Sequence, residues 1–229
     1  MQQLPLGIRL RERTSFEVFV AGENIELVQR LRRLACGERG IVWMWGAAGL
    51  GRTHLLQAAV LEAASRERRV GYLPCAQLPT LDAPTLEGFS AFELVCLDDL
   101  DARLDDPAVE RALFTLYRQI EERGSGLVIS ASQPPASLGW QLADIASRLA
   151  AAEVFQLHPL DEDGQAEALR RRAAARGFEL PDDTVRYLLR RFPRDMVSLC
   201  ELLEKIDVAS LSAQRRVTIP FVRETLGEP

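Results

Sequence analysis

Long hydrophobic runs are missing from this sequence. No window reaches the roughly eighteen uncharged apolar residues that a membrane-crossing helix needs, so no membrane span is expected. The opening residues, MQQLPLGIRLRERTSF, lack a charged leader followed by an apolar block, so no secretory signal is expected either. Cysteine is sparse: Cys36, Cys75, Cys96 and Cys200 are widely spaced and form no C-x-x-C pair. Reduced thiols in a cytoplasmic protein are the simplest reading, with Cys96, inside an apolar run, as a buried one. Histidine is sparser still. His54 and His158 are too separated to suggest a metal site, and each reads as structural. No G-x-S-x-G or comparable nucleophile motif is present, and no internal repeat or low-complexity tract. Positive charge is in deficit. The net charge of −5 and pI of about 5.3 argue against a protein whose main task is gripping nucleic acid. Arg170, Arg171 and Arg172 leave room for a local basic patch, although such a run ordinarily marks a solvated helix face. Lysine is almost absent: of 28 basic residues, only Lys205 is lysine.

What is present is a globular pattern. The 229 residues, 47% of them hydrophobic, suit one medium or two small domains. Short apolar runs read as strands: GIVWMWG (40–46), VGYLP (70–74), ELVCLD (93–98), GLVISA (126–131) and EVFQL (153–157). Helical stretches alternate with them, notably NIELVQRLRRLAC (24–36), THLLQAAVLEAASRER (53–68) and PAVERALFTLYRQIEERG (107–124). Such alternation predicts an α/β fold, a parallel five-stranded sheet sandwiched by helices. After Leu157 only helices follow, at DEDGQAEALRRRAAARG, PDDTVRYLLRRF, DMVSLCELLEKIDVAS and IPFVRETL, with Asp161 and Pro181 as helix starts. The expected organisation is a flexible leader (1–13), an α/β core (14–159) and a small helical domain (160–229), with the boundary near HPLDEDG.

The stretch GAAGLGRTHLL, Gly46 to Leu56, lies between a strand and a helix and nearly spells a phosphate loop, G-x-x-x-x-G-K-[ST]. Backbone N–H groups of such a loop and the following helix N-terminus make an anion site. Gly46, Gly49 and Gly51 let the backbone curl around phosphates, and Thr53 would place its hydroxyl on Mg²⁺. Arg52 stands where lysine belongs and would have to reach the terminal phosphates. The arginine-rich composition allows drift at a tolerant site, but arginine is planar and bulky where lysine is a slim point charge. In LVCLDDLD, Leu94 to Asp101, a strand delivers two acids to the edge of the sheet where ligands gather. Asp98 would hold Mg²⁺ and Asp99 could polarise an attacking water. In LVISASQPP, Ser130 or Ser132 could orient that water. Each of these features also has a plain alternative, a glycine turn or a polar strand end that binds nothing.

The order of these parts, from GAAGLGRTHLL and LVCLDDLD through LVISASQPPASL to DIASRL and a helical lid, resembles the AAA+ module of the bacterial initiator DnaA. TSFEVFVAGENIELV is similar to the opening of that module, which packs near adenine. GRTHLL, RGFELPDDTVRYLLRRFPRDM and AQRRVTIPFVRETL resemble the Hda family, regulatory inactivators of DnaA. The sequence ends at Pro229, after the last helical stretch, where DnaA continues into a basic helix-turn-helix domain. The resemblance implies a set of expectations. QLPLGI would be a sliding-clamp peptide, with Gln3 for a polar notch and Leu4, Leu6 and Ile8 for an apolar cleft. Arg148, in DIASRL, would be an arginine finger reaching ATP bound on a neighbouring DnaA. The lid arginine that AAA+ proteins aim at nucleotide is replaced by Val197, and Arg194, one turn earlier if the helix extends that far, could substitute. With Arg52 and Val197 both altered, the pocket is expected to hold ADP or a related diphosphate more readily than ATP, and to hydrolyse little itself. The partners implied are DnaA and the clamp, with DNA reached through the clamp and a homodimer left open. Two other readings stand beside this one: an autonomous ATPase of helicase-loader type, and a nucleotide-free adaptor.

Overall fold

The computed structural model describes residues 14–104, 106–193 and 195–227. Five strands make one wholly parallel sheet: β1 (Gly40–Trp45), β2 (Val70–Pro74), β3 (Leu94–Asp98), β4 (Gly126–Ala131) and β5 (Glu153–Gln156). Their spatial order is β2-β3-β4-β1-β5. Central strands β3 and β4 are buried along their whole length, whereas edge strand β5 is largely exposed. Unbroken apolar runs belong where helices cover both faces of a parallel sheet.

Alternation along each strand divides the core in two. Ile41, Trp43, Leu97 and Ile129 pack under α3 (Ala83–Glu87), α4 (Pro107–Arg123) and α5 (Ala143–Ala150). Val42, Met44, Cys96 and Val128 pack under α1 (Ile25–Ala35) and α2 (Arg52–Ser65). This spatial order places β4 between β1 and β3. The loop after β1, the acids after β3 and the end of β4 therefore meet at one edge, the usual ligand edge of an open α/β sheet.

Four helices follow: α6 (Glu162–Ala175), α7 (Asp182–Arg191), α8 (Met196–Ala213) and α9 (Ile219–Leu226). They bury a third cluster of their own, centred on Leu169, Leu188, Leu203 and Val222. Side-chain caps start three of them, α7 starting after Pro181 without one. Asp161 accepts from the Gly164 N–H and Asp195 from the Ser198 N–H, each at 2.8 Å, and Thr218 caps α9. Such caps each contribute about 1 kcal/mol. The segment that leads into the helical unit is held to the core by Asn24, which is buried. Its amide donates to the His158 carbonyl at 3.0 Å, and its carbonyl accepts the His158 N–H at 2.7 Å.

Candidate functional site

The loop after β1 turns through Gly49 (φ 84°) and Gly51 (φ 98°), both in the left-handed region that favours glycine. Neither position has room for a side chain. A Cβ on Gly49 would lie 2.9 Å from Val197 Cγ2, and one on Gly51 would lie 2.8 Å from Phe19 Cε2. The loop is thus sandwiched between α8 of the helical unit and the opening segment of the core. Gly51 caps α2, so the free N–H groups of its first turn, at Arg52 and Thr53, stand at the loop's mouth. Thr53 is exposed there.

Arg52 does not extend into this mouth. Its guanidinium donates to the Gly46 carbonyl and, at 2.6 Å, to the Ala131 carbonyl at the end of β4. Its second terminal nitrogen lies 2.8 Å from Asp99 Oδ1. That contact is off the hydrogen-bond line, so Asp99 Oδ1 is buried as an acceptor without a donor. Burial first, and then the neighbouring Asp98 charge, hold the Asp99 carboxyl above the usual carboxylate range, with Arg52 acting in the opposite direction. The Asp99 backbone is itself left-handed, at φ 50°. Its N–H donates to Ser130 Oγ at 2.8 Å, and Ser130 in turn donates to Asp98 Oδ1 at 2.6 Å.

Asp98 is only 3% exposed. The Tyr72 hydroxyl donates to its other oxygen at 2.7 Å. Burial and the Asp98 charge together push the Tyr72 phenol far up, so it remains a donor. Of the two serines expected near an attacking water, Ser130 is fully buried and held by Asp98, and Ser132 donates through backbone and hydroxyl to Asp101.

Arg148 occupies a different setting, near the end of α5, on the α3–α5 side of the sheet. It is 42% exposed and donates to Glu121 at 3.0 Å. Its guanidinium lies 5.5 Å from the Phe114 ring centroid and 5.7 Å from that of Tyr117. The front of α5 is held by Glu110, 1% exposed, which accepts the Gln141 and Leu142 N–H groups at 2.9–3.1 Å. α4 therefore grips α5 at both ends.

Residues 10–154 match the bacterial DnaA ATPase domain, and residues 161–226 match the lid domain of Hda. The chain belongs to the DnaA ATPase-domain family. With its Hda-type lid it is a DnaA-related AAA+ regulator of replication. Domain III of the Thermotoga maritima replication initiation protein DnaA has a TM-score of 0.77 at 21% identity, covering 94% of this chain and 96% of that one. AMPPCP-bound DnaA from Aquifex aeolicus has a TM-score of 0.70 at 19% identity, covering 89% and 68%. The Thermotoga maritima RuvB Holliday junction branch migration motor has a TM-score of 0.65 at 16% identity, covering 93% and 72%. At these identities the likeness is one of fold.

Against the AAA+ pattern, the structure brings Gly46, Gly49, Gly51, Arg52, Asp98 and Asp99 to one edge. α8 begins at Met196, and its cap Asp195 is extended (φ −74°, ψ 142°). Arg194 lies outside the described residues, as do Gln3, Leu4, Leu6 and Ile8. Val197 packs on the loop as an apolar lid contact. Sequence reasoning missed Tyr72, Glu110 and Arg172. Nothing in VGYLP singles out Tyr72 as the partner of an acid one strand away. Arg172 was grouped with Arg170 and Arg171, although a helix turns about 100° per residue and gives each a different outlook.

Proposed function

We propose that this protein inactivates DnaA in trans. Held on DNA-loaded sliding clamp through Gln3, Leu4, Leu6 and Ile8, it presents Arg148 to ATP bound on a neighbouring DnaA. Water attacks the γ-phosphorus, the bridging oxygen leaves with ADP, and the guanidinium offsets the charge that develops. Clamp tethering raises the local concentration, so a weak direct contact suffices.

The observation that carries this reading is the contrast between the two arginines. Arg52 is engaged by carbonyls of its own fold and by Asp99. The chain's own site is thereby ill equipped for turnover, since Asp99 is paired with a cation and Arg52 is turned from the phosphate position. Arg148 is half-exposed on an outer face and held by one surface carboxylate. Residues 160–229 act as the lid over residues 14–159.

The chain's own pocket retains a holding role. Tight glycines and the free N–H groups of α2 fit a nucleoside diphosphate, and the Asp99 carboxylate, an acceptor like phosphate itself, disfavours the added charge of a third phosphate. Thr53 and Asp98 would hold Mg²⁺. Among the described residues no group of three histidine, cysteine or acidic side chains could hold a metal ion. Such an ion would therefore depend on oxygens of the nucleotide itself.

The test loads labelled ATP on DnaA, adds clamp-bound DNA, and follows hydrolysis with the wild-type chain and with Arg148→Ala. Acceleration that disappears with Arg148→Ala is the expected result. No acceleration by the wild type discards the proposal. Val197 packed on Gly49 favours one other reading, a nucleotide-free adaptor; calorimetric heat on adding ADP would reject it.

A further inference from the structure

The cleft over the phosphate loop is lined from the core by Phe19, Gly49 and Gly51, and from the lid by Ala168, Arg172 and Met196. Among the described residues Arg172 is its one arginine. Ala168 and Arg172 are four residues apart on α6, so they share a face. The three consecutive arginines of α6 have different surroundings. Arg170 pairs with Asp182 at 2.9 Å, and Arg171 pairs with Glu167 at 2.8 Å. Among the described residues no carboxylate pairs with Arg172, which is half-buried beside the cleft. A guanidinium carries five donors and no acceptor, and a partly desolvated one without an anion is costly unless a ligand completes it.

Two further facts describe its surroundings. His54, in the first turn of α2, is held near pKa 4, chiefly by burial, with the Arg172 charge adding to the effect. Arg172 is thus close enough to the first turn of α2 for its charge to be felt at His54. On α8, the lid offers Val197 to Gly49, an apolar contact in place of a cation.

We infer that Arg172 is the lid's cation for the phosphates of a bound nucleoside diphosphate, supplied from α6 in place of the arginine that α8 lacks at Val197. This rests on the proposal that the loop holds a nucleotide. Arg172 and the α2 N-terminus would then approach the phosphates from opposite walls of the cleft. Binding would draw the lid toward the core, in line with the Arg171 contacts to the Glu17 and Phe19 carbonyls at 3.2 and 3.4 Å.

The test measures ADP and adenosine affinities, by competition against a fluorescent ADP analogue, for the full-length wild type, Arg172→Ala, Arg172→Lys and the control Arg170→Ala. Thermal melting checks that each variant is folded. Losing one charge-assisted phosphate contact should weaken ADP about tenfold to a hundredfold. Adenosine should be unaffected, Arg172→Lys should recover part of the loss, and Arg170→Ala should match wild type. Unchanged ADP affinity in Arg172→Ala overturns the inference, as does an equal loss for ADP and adenosine, which would put the guanidinium on the base. If the wild type binds no ADP at about millimolar concentration, the nucleotide reading itself fails, an outcome distinct from either.

Discussion

Arg52 and Arg148 stand on opposite sides of the same sheet, under different constraints. Arg52 is 12% exposed, and its fork is taken up by two backbone carbonyls and Asp99. Arg148 is 42% exposed and rests on one carboxylate and two aromatic faces. Withdrawing Arg52 would leave the buried Gly46 carbonyl without a donor, which costs about 1–3 kcal/mol, would leave the Ala131 carbonyl with only the longer bond from the Gly46 N–H, and would strip Asp99 of its counter-ion. Swinging Arg148 away gives up an exposed ion pair worth about 0–1 kcal/mol and weak ring contacts. A guanidinium bonded to its own backbone is part of the scaffold. One resting on the surface is available to another molecule.

Four measurements would break or sharpen this contrast. The largest effect belongs to the rim. Arg148→Ala should lower stimulated hydrolysis of DnaA-bound ATP by about 10³-fold or more. Arg148→Lys should restore little, since an ammonium lacks the planar fork; single-turnover release of labelled phosphate measures both.

On the loop side, His54 donates to the Ser15 carbonyl and is held near pKa 4 by burial, against 6.5 when unfolded. Its folded pKa is depressed, so as pH falls the unfolded chain takes up the proton first. Stability present above pH 6.5 should be lost toward pH 4, by up to about 3 kcal/mol. His54→Gln should flatten that part of the profile, as read by urea unfolding across the window.

Glu110 tests the support of the rim. Glu110→Ala leaves the Gln141 and Leu142 N–H groups without their acceptor. It should cost about 2 kcal/mol, or roughly 4–8 °C in Tm, with Glu110→Gln losing less in a melting experiment. The smallest effect is expected from Arg52→Lys. Lysine lacks the fork that serves two carbonyls and Asp99 together, so its amine should turn to the phosphates and shift the ATP-to-ADP affinity ratio about tenfold toward ATP. An unchanged ratio would mean that the Arg52 contacts do not govern phosphate preference.

Much of the architecture was legible because its signals are local. The strands over 70–74 and 126–131 have the bounds their apolar runs predict, since those runs end at turn residues. Asp161 starts α6 as read, because a cap acts within one turn. The short helices α3 and α5 carried too little periodicity to be placed as elements, five and eight residues each. At the site, the glycines and the pair of acids announced themselves by spacing. The direction of Arg52 did not, because its carbonyl partner Ala131 belongs to another strand.

The sequence alone determined the five strands and the longer helices, that the central strands are buried, and that glycines and acids lie at strand ends. Those properties follow from periodicity, capping and backbone freedom over a few residues. Only the tertiary structure decided the order β2-β3-β4-β1-β5, the hold of Tyr72 on Asp98, the packing of Val197 on Gly49 and the facing of Arg172 into the cleft. Each joins residues far apart in the chain, so its energy depends on which surfaces meet when the core closes, and no local pattern encodes that meeting.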